Sequence, residues 1–240
     1  AVYGQITSYF NLTEADMSSN SLRKTFVNFI FAVACFAPVF ANAGGIVIGG
    51  TRLIYPSGAR QANVSSNNTS DKASFLVQSW VEDAEGKKTT DFIVTPPLYV
   101  SGPLNEKLIR VMYTGEPLPQ DKETLYYFNA KAIPSVDKEK MVGKNLLLLS
   151  AVTRIKLFVR PDGLKIPMSD APSGLEFYHS DNQLKIKNPT PYYITIAQLK
   201  TGDTPLKDVM VPPGESITQS FPVSGKDSVT FRTINDYGAL

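Results

Sequence analysis

The stretch LLLLSAVTRIKLFVRP, Leu146–Pro161, decides the fold class. It is dominated by apolar and β-branched residues and reads as a strand. Yet it carries Arg154, Lys156 and Arg160 at spaced positions. A strand that only filled a core would not normally hold Lys156 and Arg160, because a buried charge needs a partner. The pattern therefore predicts an anionic group that meets them. Leu146–Leu149 is apolar on both faces, so periodicity does not choose between its odd and even positions.

Outward from this stretch, the chain is a series of short apolar or alternating runs broken by Gly, Pro, Asn, Asp and Ser. Strands are expected at Ile46–Ile48, Arg52–Tyr55, Ala62–Ser66, Ser74–Glu82, Phe92–Thr95, Leu108–Tyr113, Leu125–Ala132 and Leu146–Val159. Trp80, inside one of these runs, is expected in the core. Regular spacing of turn signals points to an all-β sandwich. Arg160-Pro161-Asp162-Gly163 then interrupts the pattern; Pro161 cannot donate to a ladder and Asp-Gly favours a turn, so the interdomain connection is placed there. A second, smaller sandwich is expected from strands at Leu175–His179, Gln183–Lys187, Tyr192–Lys200, Lys207–Val211, Ser216–Phe221 and Ser228–Ile234. No stretch offers a long helical period.

The beginning of the chain reads differently. Met17 is followed by Arg23 and Lys24, an apolar run from Phe26 to Phe40, and Ala41-Asn42-Ala43. That order is a secretory signal peptide over residues 17–43, with residues 1–16 as an upstream segment and the mature chain starting near Gly44. The apolar run is too short for a spanning helix, and no membrane insertion is expected once it is removed. Cys35, the single cysteine, lies inside this segment, so the mature chain needs no disulfide in an oxidising compartment. About 197 residues remain, enough for two small domains or one large sandwich.

Composition excludes several classes. The net charge of +2 is too mild for a bulk nucleic-acid partner. His179 is the single histidine, and no metal-spaced cluster, Gly-rich phosphate loop or nucleophile–base set is present, so no enzyme activity, metal or cofactor is expected. Gly44-Gly45 and Gly49-Gly50 flank a strand with no helix after it and read as flexible or bulged edges. The remaining signal is charge. Arg52, in an early strand, and Lys156 and Arg160, in the last strand before the connection, together with Glu123 and Asp236 suggest charges meeting at a domain junction.

Eight separated segments carry a family resemblance: TRLIYP (51–56), QSWVE (78–82), IVTPPL (93–98), LPQDKETLYYF (118–128), AIP (132–134), RIKLFVRP (154–161), NPTPYY (188–193) and TINDYGAL (233–240). In these the chain resembles the periplasmic chaperones of the chaperone–usher pilus pathway, PapD-like, and within them the type 1 fimbrial chaperones. The resemblance implies two immunoglobulin-like β-sandwich domains, residues 44–161 and 162–240, in an L or boomerang arrangement with a cleft between them. It implies a periplasmic protein that binds pilin subunits by donor-strand complementation and delivers them to an outer-membrane usher. By the same resemblance Arg52 and Lys156 bind the subunit's C-terminal carboxylate, and Glu123, Arg160 and Asp236 form an interdomain salt bridge. The lent strand inserts Leu147, Leu149 and Ala151 into the subunit.

That mapping makes odd positions 147–151 and even positions 154–156 of one strand functional, which requires a bulge or twist between them. The resemblance groups the polar loop Ser135–Asn145 with short-loop chaperones, and the family usually continues past a motif like Ile234–Leu240, so the final strand is expected to be incomplete. A strand lent in this way also makes self-association of the free chaperone a candidate arrangement. The rival to a chaperone is a structural fimbrial or surface β-sandwich protein; a pilin would carry an alternating apolar N-terminal extension, which is not visible after Gly44.

Overall fold

Alternation at period two builds the first sandwich. In the computed structural model, which describes residues 44–135, 148–180, 182–220 and 228–240, its strands are β1 (Ile46–Ile48), β2 (Arg52–Pro56), β3 (Ala62–Asn68), β4 (Phe75–Glu82), β5 (Phe92–Thr95), β6 (Leu98–Ser101), β7 (Glu106–Tyr113), β8 (Thr124–Pro134) and β9 (Ala151–Arg160). One sheet has the order β1-β3-β7-β5 and the other β2-β9-β8-β4-β6. Between them lie Val64, Ile109 and Val111 from one side and Val77, Val81, Phe128, Ile155, Leu157 and Val159 from the other. Each strand sends alternate residues inward, as the pleat dictates. Tyr55 spans the core with its polar tip satisfied: its hydroxyl donates to the Ala59 carbonyl and accepts the Tyr113 N–H.

The second sandwich comprises β10 (Glu176–Ser180), β11 (Gln183–Lys187), β12 (Ile194–Thr201), β13 (Thr204–Pro205), β14 (Val209–Val211), β15 (Ser216–Ser220) and β16 (Val229–Thr233). One sheet is β10-β11-β15; in the other β12 pairs with β13, β14 and β16. Leu184, Ile186, Ile194, Ile196, Leu199 and Val211 form its core. The inward residues of β12 change from even to odd between Ile196 and Leu199. The register against β16 shifts between Ala197 and Lys200, and Gln198 has φ 53°, so a bulge supplies the extra residue.

Several expectations need correction. Trp80 is half-buried on the outer face of β4, where its indole N–H donates to Glu82 Oε1 at 2.8 Å. Phe75, Val77 and Val81 took the inward parity, so the even positions face out. The strand expected at Leu146 begins at Ala151; Leu148–Ser150 lie outside any ladder, while Leu146 and Leu147 lie outside the described residues. No bulge interrupts β9 either: its register with β8 is continuous from Ala132↔Ala151 to Thr124↔Val159. The odd residues face the sandwich interior and the even ones face away, so two roles can share one regular strand. The short strands β6 and β13 escaped the sequence reading.

Candidate functional site

The site grows from the outer face of the five-stranded sheet. β2 and β9 are parallel, with Arg52 in register with Lys156 and Pro56 with Arg160. Residues paired in this way point to the same side of a sheet. Leu53, Tyr55, Leu157 and Val159 pack on the first core, so Arg52, Lys156, Phe158 and Arg160 face away from it. There they meet the second sandwich: Phe158, 2% exposed, lies with its ring 5.5 Å from that of Tyr193.

Arg160 is fully compensated. Its Nε donates to Glu123 Oε1 at 2.7 Å, and its Nη1 and Nη2 donate to the two Asp236 carboxylate oxygens at 2.7 and 2.8 Å. The second Glu123 oxygen accepts the Tyr193 N–H at 2.8 Å. Glu123 precedes β8, Arg160 ends β9 and Asp236 follows β16, so the group ties the first sandwich to the second. Burial of Arg160 alone would lower its pKa, but the Asp236 and Glu123 carboxylates hold it above the ordinary value. Glu123 is 3% exposed, and burial pushes its carboxyl up, with Arg160 and the Tyr193 N–H pulling the other way. The expected trio of Glu123, Arg160 and Asp236 is thus in direct contact.

Arg52 and Lys156 are different. Arg52 Nη1 donates to the Ile234 carbonyl at 3.2 Å, and Lys156 Nζ donates to Thr195 Oγ1 at 3.1 Å. Among the described residues no carboxylate lies within ion-pair distance of either, and the buried Arg52 Nε has no hydrogen-bond partner. Burial lowers the Lys156 pKa, and the Arg52 charge lowers it further; burial also lowers Arg52, with Asp236 and Glu123 opposing from a distance. Two desolvated cations side by side with unused donors suit a planar anion with several acceptor lone pairs, such as a carboxylate.

Beside this pair β9 has a free edge. β2 pairs with it only from Lys156 onward, so along Ala151–Ile155 its second edge has no partner among the described residues. Such an edge is a template for an incoming strand. The segment leading into it is apolar and open to water: Leu149 is 72% exposed, and Leu148, Ala151 and Val152 are exposed too. Leu147, the third residue of the expected donor set, lies outside the described residues.

Arg154, the remaining basic residue of the stretch, belongs to neither group. It pairs with Glu82 at 3.3 Å and lies 3.8 Å above the Tyr127 ring. Thr195 and the Ile234 carbonyl were missed at the sequence level. A threonine in a strand reads as a β-former, and a backbone carbonyl has no sequence signal.

Residues 45–165 match the family described as pili and flagellar-assembly chaperone, PapD N-terminal domain, and residues 170–240 match pili assembly chaperone PapD, C-terminal domain. The chain belongs to this family of pilus-assembly chaperones. It is 46% identical over 199 residues to the chaperone protein FocC of Escherichia coli, covering 82% of this chain and 87% of FocC. The solved structure of the periplasmic chaperone SfaE is similar with a TM-score of 0.70 at 42% identity, over 81% of this chain and 95% of SfaE. A chain of the Salmonella enterica SafA pilin–SafB chaperone complex matches with a TM-score of 0.72 at 32% identity, over 85% of this chain and 94% of that one. Between the two alternatives left by the sequence, the family decides for a fimbrial chaperone of the chaperone–usher pathway over a structural fimbrial protein.

Proposed function

We propose that the chain holds a pilin subunit in the periplasm by adding a strand to it, anchors the subunit's C-terminal carboxylate on Arg52 and Lys156, and hands it to an outer-membrane usher. The observation that carries this is the Arg52–Lys156 pair, with no carboxylate in ion-pair reach among the described residues, at the inner end of a strand edge that has no partner among them either. A pilin relative bound to a chaperone relative, as in the SafA–SafB complex, supports the choice of partner.

Geometry supports one direction of addition. A strand that lies along Ala151–Ile155 and ends in a carboxylate beside Lys156 runs parallel to β9 and in line with β2, whose first residue is Arg52. An antiparallel strand would put its carboxylate at the far end, about 17 Å away at roughly 3.3 Å per residue. Along the lent strand the odd residues Leu147, Leu149 and Ala151 share the parity of Ile155 and Leu157, which face the interior of a sandwich. In the complex they serve the subunit's core. Each large one contributes about 1.5–3 kcal/mol of apolar burial before ordering costs. Glu123, Arg160 and Asp236 hold the domain junction and leave the carboxylate to the other two cations.

The test is recovery of a pilin subunit with the protein from periplasm. Arg52→Ala and Lys156→Ala should each leave a folded protein that no longer carries the subunit along; normal recovery in both would overturn the anchor.

A further inference from the structure

We infer that Thr195, on the second sandwich, is a positioning residue for the carboxylate anchor: its hydroxyl aims the Lys156 ammonium beside the Arg52 guanidinium. This rests on the proposed role of Arg52 and Lys156.

The two cations come from the first sandwich, yet each spends a donor on the second. Lys156 Nζ donates to Thr195 Oγ1 at 3.1 Å, and Arg52 Nη1 donates to the Ile234 carbonyl at 3.2 Å. The residues that supply those two acceptors are joined through their main chains, because the Ile234 N–H donates to the Thr195 carbonyl at 3.0 Å. One hydrogen-bonded residue pair of the second sandwich therefore seats both cations. The same segment is clamped from the other side: Asp236 grips Arg160, and the Asn235 side chain accepts the N–H groups of Tyr237 and Ala239, each at 3.0 Å. Gly238, at φ +83°, lies so close to Thr51 that a Cβ there would stand 2.2 Å from its hydroxyl oxygen. The seat is thus braced against the residue that precedes Arg52.

Lysine is flexible, with an ammonium that rotates freely on a four-carbon stem. Left alone beside Arg52, it would swing away from the like charge. The Thr195 hydroxyl, buried and fixed on β12, opposes that repulsion with an acceptor and holds the ammonium near the guanidinium. The groups that face Lys156 are Arg52 from β2, Tyr127 in register from β8 and Thr195 from β12. Thr195 is the one among them that lies outside the β2, β9 and β8 strands that carry and flank the anchor.

Thr195→Val keeps the shape and deletes the hydroxyl; Thr195→Ser keeps the hydroxyl. The probe is a synthetic peptide with the C-terminal strand sequence of a pilin that co-purifies with the protein, as a free carboxylate and as its C-terminal amide. Alongside it, the Lys156 side chain is titrated by NMR in the free protein. Wild type should prefer the free carboxylate; Thr195→Val should lose about tenfold of that preference, the order expected for one hydrogen bond to a charged group. Its Lys156 titration should shift to lower pH, Thr195→Ser should restore both, and thermal unfolding should stay as in wild type. A Thr195→Val protein with wild-type preference and wild-type titration overturns the inference. A wild type with no preference for the carboxylate overturns the anchor itself, which is a different failure.

Discussion

Arg52 and Lys156 stand in register on adjacent parallel strands, both turned away from the first core and toward the second sandwich, with no described carboxylate in ion-pair reach. Two strand positions beyond Lys156 on the same face, Phe158 is sealed against Tyr193, and beyond that Arg160 is saturated by Glu123 and Asp236. One strand face thus passes from an open charge to a closed one. The closed charge ties the first sandwich to the second, and the open one keeps unused donors.

Neutralising the open charge should separate binding from stability. Lys156→Met removes a desolvated ammonium and keeps its stem, so the free protein should unfold at the same temperature as wild type or higher. Subunit affinity should fall about tenfold to a hundredfold, as expected for a lost charge-assisted hydrogen bond. Calorimetry and a binding titration on one preparation measure both, and a large drop in unfolding temperature would contradict this view of Lys156.

The same residue sets opposite pH slopes. Its folded pKa lies below the unfolded value, so the stability it contributes is present at high pH and is lost as pH falls through the folded pKa. Carboxylate affinity runs the other way, because the ammonium is discharged as pH rises through that range. The difference between wild type and Lys156→Met should therefore show stability rising, and affinity falling, on the alkaline side. Parallel slopes would count against the assignment.

Breaking the closed charge should be costly. Arg160→Ala leaves Glu123 buried without its guanidinium and should cost about 3–5 kcal/mol. Glu123→Gln keeps an acceptor for the Tyr193 N–H and should cost less. Urea unfolding decides, and a loss below about 1 kcal/mol for Arg160→Ala would mean that water or relaxation replaces the pair.

Parity can be tested along the lent strand. Leu149→Asp should leave the free protein's stability unchanged, since the side chain is already in water, and should abolish subunit stabilisation. Val152→Asp, on the opposite face, should be milder. Equal defects in the two would argue against odd-position insertion.

How much of this was legible beforehand varied with physical cause. Short runs bounded by turn residues announce the strands at Ala62–Ser66 and Phe92–Thr95, and burial alternates along both because one face is covered and the other is not. The same reading misjudged Trp80, because β4 carries apolar residues on both faces and the partner sheet, not the sequence, chose which turned inward. β6 was missed because the Leu98 and Val100 side chains are exposed on an edge strand that follows two prolines. Arg52 and Lys156 stand out in the sequence as strand charges that, with Arg160, Glu123 and Asp236, suggest a domain junction, and only the resemblance pairs them as an anchor; their adjacency depends on a parallel register between distant segments, which no local pattern encodes. Thr195 carried no signal at all.

The edge of β9 that is without a partner among the described residues stops where β2 begins, and on the proposed anchor that limit has a consequence for what the protein can hold. Main-chain groups and a terminal carboxylate are common to every polypeptide, so a groove of this kind tolerates variety in the side chains that enter it. With the carboxylate held at Arg52 and Lys156 as proposed, it would not tolerate a change in where the guest chain ends. One extra residue at the terminus would shift every side chain of the guest strand to the opposite face, so subunits served by this protein can diverge in sequence far more freely than in the distance from their last buried residue to their final carboxylate.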